Sequence, residues 1–151
     1  MSSTLVVPQG ISYVAGALLS TSFLLVWQGL TVNRTRKAAG IPYPQLYAEK
    51  SEAAASPAAM KFNCAQRAHQ NTLENIPTIY LTSLLTSLKY PKIAAVAVGI
   101  WTVSRIAYSR GYLTGNPDKR INPIGLSGSL VTVGLIGSSA FAVYQLIVEG
   151  I

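Results

Sequence analysis

Charge is the scarcest feature of this chain. Only 11% of its 151 residues are charged, against ~25% in an average soluble domain. No charged side chain occurs from Met1 to Asn33 or from Ile121 to Val148. Each gap exceeds the ~20 residues that a helix needs to cross ~30 Å of hydrocarbon. A soluble helix of that length carries charges at the helical period, so the absence argues for an integral membrane protein. The single cysteine, Cys64, excludes an internal disulfide and any CxxC metal site. It reads as a small buried apolar residue. No Gly-rich phosphate loop, low-complexity tract or internal repeat is present. The first apolar run has no basic segment ahead of it and outruns the ~7–15 residues of a signal-peptide core, so it is expected to be retained as a span.

The charge that remains is mostly positive, with a net +7. It clusters beside apolar stretches and forms no single basic face. That is the pattern of membrane anchors and not of a nucleic-acid surface, and no nucleic-acid partner is expected. One all-α domain over 1–151 is expected, with spans near 11–32, 62–88, 93–113 and 124–148. Pro42 and Pro44 break the chain after the first span. Residues 49–61 read as a mobile connecting loop, 89–92 as a tight turn, and 114–123 as a Gly/Pro-broken loop. Pro77 is expected to kink the second span or free a carbonyl. Gly125, Gly128, Gly134 and Gly137 predict close packing of the fourth. The first and third connections hold most of the Lys and Arg, which places them on the cytoplasmic side and both termini in the lumen.

The second span opens with polar groups that membrane depth penalises unless they face a cavity or one another. Arg67, Asn71 and Glu74 lie at i, i+4 and i+7, one helical face. Thr78 extends that stripe, Gln70 flanks it and His69 points elsewhere. On the third span Arg105, Tyr108 and Tyr112 fall at i, i+3 and i+7. If the two stripes meet, they form a pocket of guanidinium, carboxylate, amide and phenol groups. Arg suits a carboxylate, Glu an ammonium, and Tyr a ligand with polar and apolar parts. The inventory fits a small zwitterion with more than one carboxylate, such as a peptide, beside a lipophilic co-substrate. The same spacing also fits a plainer arrangement, with Arg67 paired to Glu74 and the tyrosines serving as interfacial aromatics.

The run Phe62-Asn-Cys-Ala-Gln-Arg-Ala-His-Gln-Asn-Thr-Leu-Glu74, with Arg105-x-x-Tyr-x-x-Gly-Tyr112 and Thr-Gly-x-Pro-x-Lys-Arg120, resembles the MAPEG family, membrane-associated proteins of eicosanoid and glutathione metabolism. Among its branches the type 3 microsomal glutathione transferases are the nearest in pattern. The resemblance takes in Tyr43-Pro44, Tyr47 and the four-span layout; the fourth span matches only in character. It implies a homotrimeric, integral membrane four-helix bundle with glutathione as co-substrate, bound between subunits, and no metal. Arg67, Asn71, Glu74, Arg105, Tyr108 and Tyr112 would hold glutathione. Arg36 and Lys37 would reach it from the adjacent subunit, and His69 would contact it or cap the site. The thiol-activating arginine of the family falls on Lys119 by strict spacing and on Arg120 with one inserted residue. Arg120 is preferred, since a guanidinium keeps its charge.

Asn75 stands where the leukotriene-forming branch has tyrosine, which favours general glutathione chemistry over leukotriene synthesis. The expected activity is transfer of glutathione to a lipophilic electrophile, or reduction of a lipid hydroperoxide. The expected location is the endoplasmic reticulum or the outer mitochondrial membrane. Two rivals remain, a non-enzymatic lipid-binding scaffold of the same family and a small channel. A scaffold would not need the polar stripe, and the paired broken helices of transporters are missing.

Overall fold

The computed structural model describes residues 8–150, and these are helical apart from short connections. Helix α1 spans Ile11–Ala39, α2 Lys50–Ala55, α3 Pro57–Ser87, α4 Pro91–Tyr112 and α5 Pro123–Glu149, with a 3-10 turn at Pro117–Arg120 before α5. The boundaries follow from local chemistry. Helices α3, α4 and α5 each start on a proline, whose missing N–H costs nothing in a first turn. Ser56 Oγ accepts from Ala59 N, and Asn122 Oδ1 accepts from Gly125 N at 2.8 Å. Helix α1 stops at Gly40, which takes a φ of 68° that a side chain would resist.

Two expectations change. The first helix does not end near Val32 but continues through Arg34, Arg36 and Lys37 to Ala39. At 29 residues and ~1.5 Å each, it is longer than the hydrocarbon is thick, so its charged end can lie beyond the lipid and stay helical. The stretch 49–61 is not an open loop. Glu49 and Glu52 form a reciprocal capping box that starts α2, and Ser56-Pro57 starts α3. Helix α3 runs unbroken through Pro77. Proline offers no N–H to Leu73 O one turn earlier.

Helices α3 and α4 form a central pair, with α1 and α5 each packed against both. The core draws Leu24 from α1, Ile79 from α3, Val98 and Trp101 from α4, and Leu135 from α5. Among α1, α3, α4 and α5, helices consecutive in the chain run antiparallel, so that α1 lies parallel to α4. Cys64 near the start of α3 packs with Tyr112 at the end of α4, while Tyr90 at the start of α4 bonds Gln145 near the end of α5. All the basic side chains except Lys89 and Lys92 therefore lie on one half of the molecule. Cys64 is buried, as read.

Of the four α5 glycines, Gly128 makes the expected close contact with another helix, whereas the atoms nearest Gly125 belong to the helix cap and the turn before it. Gly125 and Gly128 are buried, whereas Gly134 and Gly137 have open space beside them. A Cβ on Gly128 would lie 2.2 Å from Ser104 Oγ, which is fully buried and bonded to Trp101 O. Gly128→Ala is expected to destabilise the protein by ~1–3 kcal/mol, and Ser104→Ala in the same chain should restore most of that loss. Thermal unfolding of the two single variants and the double variant measures both effects.

Candidate functional site

The polar stripes of α3 and α4 do meet. Arg105, near the end of α4, is buried, and its Nη2 donates to Asn71 Oδ1 on α3 at 2.7 Å. Asn71 Nδ2 points back to Glu74 at 3.4 Å, and Glu74 holds Arg67 Nη1 at 2.9 Å. On the other side the Arg105 guanidinium lies 4.0 Å from the Tyr108 ring centroid. Tyr108 meets Tyr112 edge-on at 5.2 Å, and the Arg120 guanidinium is 5.7 Å from the Tyr112 ring. Seven of the expected residues thus form one connected string, Arg67–Glu74–Asn71–Arg105–Tyr108–Tyr112–Arg120. Four of the seven, Asn71, Arg105, Tyr108 and Arg120, line a cavity of about 320 Å³ together with Asn75 and Ser129, among others.

The plainer pairing of Arg67 with Glu74 is also present, but both side chains are more than 40% exposed. Water screens such a pair, so a ligand can open it at little cost. Arg105 is different. Buried among Asn71, Thr72 and Tyr108, it has a fixed position, and its charge is directed at the cavity.

The turn that carries Arg120 is held by contact with α4. A Cβ on Gly111 would lie 2.1 Å from Lys119 O and 2.9 Å from Arg120 Cα. Backbone therefore rests on backbone at Gly111. Arg120 is steadied by Pro117 O at 2.6 Å and lines the cavity, while Lys119 is exposed.

Four expected residues lie outside the string. Arg36 is buried beneath its own connection. Its guanidinium sits 4.3 Å from the Tyr43 ring and 4.5 Å from that of Phe62, and donates to Gln45 O at 2.6 Å. Lys37 is exposed in the last turn of α1. His69 turns toward α1, with Nδ1 3.3 Å from Gln28 Oε1. Thr78 is exposed farther along α3.

Sequence reasoning left out several neighbours. Gln28, Thr72 and Ser109 form a buried polar knot behind Arg105. Gln28 carried a signal, as an amide in a charge-free run, but its partners lie far along the chain. Tyr47 joins the stripe by donating to Gln70 Oε1. Burial pushes its phenol above the ordinary range, with Glu74 adding to the rise and Arg67 opposing it, so it stays protonated and able to donate. Asn63 bonds both N and O of Ala48 and clamps the same connection onto α3.

A larger groove of about 440 Å³ between α4 and α5 is lined by aliphatic side chains such as Val96, Ile100, Val131 and Leu135. It has few groups to orient a polar ligand; the polar side chains gather at the smaller cavity.

Fold and site together define an all-helical protein whose apolar helices hold a cationic, phenol-lined cavity toward one end. The model of the MAPEG family matches residues 14–141, and the chain belongs to that family. Helices α1 and α5 are long and apolar enough to cross a membrane, which with the family membership points to a membrane protein. The family includes glutathione transferases and peroxidases, and also members without enzymatic activity.

Proposed function

We propose that this protein is a membrane-bound glutathione transferase that also reduces lipid hydroperoxides, of the type 3 microsomal kind. The observation that carries this reading is the cavity bounded by Arg105, Asn71, Tyr108 and Arg120. Glutathione brings two carboxylates, an ammonium and a thiol. Arg105 and Arg67 suit the carboxylates, Glu74 the ammonium, and Asn71 can both donate and accept. Tyr108 gives the peptide an aromatic face with a polar edge, and Tyr112 packs edge-on against it. The α1, α3, α4 and α5 helices would each cross the bilayer, with the basic half on the cytoplasmic side and the termini in the lumen. The membrane would be that of the endoplasmic reticulum, or the outer mitochondrial membrane. Three copies would complete the site, with Lys37 of a neighbouring subunit, and Arg36 if it leaves its loop, adding positive charge. His69 would support the site from behind.

In this mechanism Arg120 lies beside the thiol and stabilises the thiolate, while the proton leaves to solvent. The sulfur then attacks an electrophilic carbon. A C–S bond forms, and the leaving group departs with its electron pair or, in an addition, the carbon acceptor takes up a proton. With a hydroperoxide the sulfur attacks the terminal oxygen and the O–O bond breaks. The alkoxide takes a proton to give the alcohol, and a second glutathione converts the sulfenic acid to the disulfide with release of water. The lipophilic partner enters from the lipid.

Purified protein titrated with reduced glutathione in a calorimeter tests the reading. Saturable binding is expected, weakened ~10-fold or more by Arg105→Ala, as befits the loss of a charge-assisted contact. Heat without saturation would leave the scaffold reading standing instead.

A further inference from the structure

Gln28 lies in the middle of α1 and is 3% exposed. An amide so deep in an apolar helix must be satisfied from within the protein, and here every polar group has a partner. Gln28 Nε2 donates one proton to Thr72 Oγ1 at 2.9 Å and the other to Ser109 Oγ at 2.7 Å. The Thr72 hydroxyl gives its own proton to Ala68 O at 3.0 Å. Its oxygen is left as an acceptor for Gln28 and for Arg105 Nε at 3.3 Å. Gln28 Oε1 has no proton to give, so His69 Nδ1 is the donor in the remaining contact at 3.3 Å. One amide therefore joins α1, α3 and α4, and its chain of bonds ends on the Arg105 guanidinium.

The network fixes which way Arg105 faces. With Nε held by Thr72 and Nη2 by Asn71, the Nη1 edge is left for an anion in the cavity. The void beside Gln28 is only about 10 Å³, at the lower limit for one water, and the bonds run directly between side chains. We propose that Gln28, acting through the Thr72 hydroxyl, is a positioning residue that presets the Arg105 guanidinium for a carboxylate of the bound peptide. This rests on the glutathione reading and deepens it, since Gln28 touches no part of the cavity. It also accounts for His69, which braces the amide from α3.

The test is a set of glutathione affinities measured calorimetrically on full-length protein, with thermal unfolding in parallel. Gln28→Leu is expected to weaken binding about tenfold, the effect of loosening one charged contact. In an Arg105→Ala background the same substitution should change affinity less than about twofold, because the group it positions is gone. Thr72→Val keeps the volume and removes the hydroxyl, and should also cost about tenfold. Thr72→Ser should stay near wild type. If Gln28→Leu fails to fold, the Thr72 pair still decides the matter. Equal losses for Gln28→Leu with and without Arg105, or wild-type affinity in Thr72→Val, would overturn the proposal. A wild type that binds no glutathione would remove the functional reading itself, and this role with it.

Discussion

Arg120→Ala is expected to reduce turnover ~10²–10³-fold, the usual result of removing one preorganised donor at a developing charge. A free thiol has a pKa of ~8.5, so only a few per cent is thiolate at pH 7. A guanidinium in contact with sulfur favours the charged form and lowers that value. Lowering by about two units is worth ~2.7 kcal/mol and would make most of the bound glutathione reactive at pH 7. Without Arg120 the thiol pKa rises, so the ascending limb of the rate against pH moves to higher pH by about one to two units. Ultraviolet absorbance of the bound thiolate should fall in step with turnover. Lys119→Ala should leave both within about twofold, since Lys119 is exposed and only Arg120 lines the cavity. Equal thiolate signal in wild type and Arg120→Ala would show that sulfur is activated elsewhere.

The features legible in the sequence share a cause, which is local periodicity. The charge-free runs gave the outer helices because lipid tolerates few charges, and those two helices alone pass on length and hydropathy. Helices α3 and α4 are less apolar as a whole, and their polar stripes are what made them readable. Spacing of i, i+4 and i+7 is a property of one helix, so Arg67, Asn71 and Glu74 were found without knowing the fold. Tertiary arrangement stayed hidden. Nothing near Arg36 reveals that Tyr43 and Phe62 will enclose it. Gln28 gains its role only when Thr72 and Ser109 arrive from two other helices. The helical start at Pro57 was within reach, because Ser56-Pro57 and the Glu49/Glu52 pair are start signals, but the Ser- and Ala-rich composition around them suggested a loop.

The structure also shows why the site tolerates charge where charge is costly. Arg67 and Glu74 pair on the exposed face of α3, Arg105 is shared between an amide, a hydroxyl and a phenol ring, and Arg120 rests on a carbonyl. Arg67, Glu74 and Arg120 can each exchange a protein contact for a ligand contact, whereas Arg105 keeps its contacts and has Nη1 to offer. A lipid-binding scaffold would have no use for a buried guanidinium at a polar cavity, and this observation favours the enzymatic reading we propose.

Gly111→Ala is the substitution expected to separate stability from activity most sharply. Replacing a helical glycine by alanine ordinarily gains ~1 kcal/mol. Here the new Cβ would overlap Lys119 O, at 2.1 Å, and crowd Arg120 Cα, at 2.9 Å. Those are backbone atoms, so no side-chain rotation relieves the overlap, and the whole 117–120 turn must lift from α4. The strain of such overpacking is ~1–3 kcal/mol and is partly offset by the helix gain, so unfolding temperature should fall only modestly. Arg120 travels with the turn. A displacement of ~1 Å at a reacting group can cost ~100-fold in rate, and turnover should fall by that order. The Arg105 and Asn71 contacts lie one to two turns away, so glutathione affinity should change less than about threefold. Turnover, affinity and unfolding temperature measured on one preparation resolve the three effects. Wild-type turnover in a folded Gly111→Ala protein would mean that the turn resting on α4 does not set where the arginine acts.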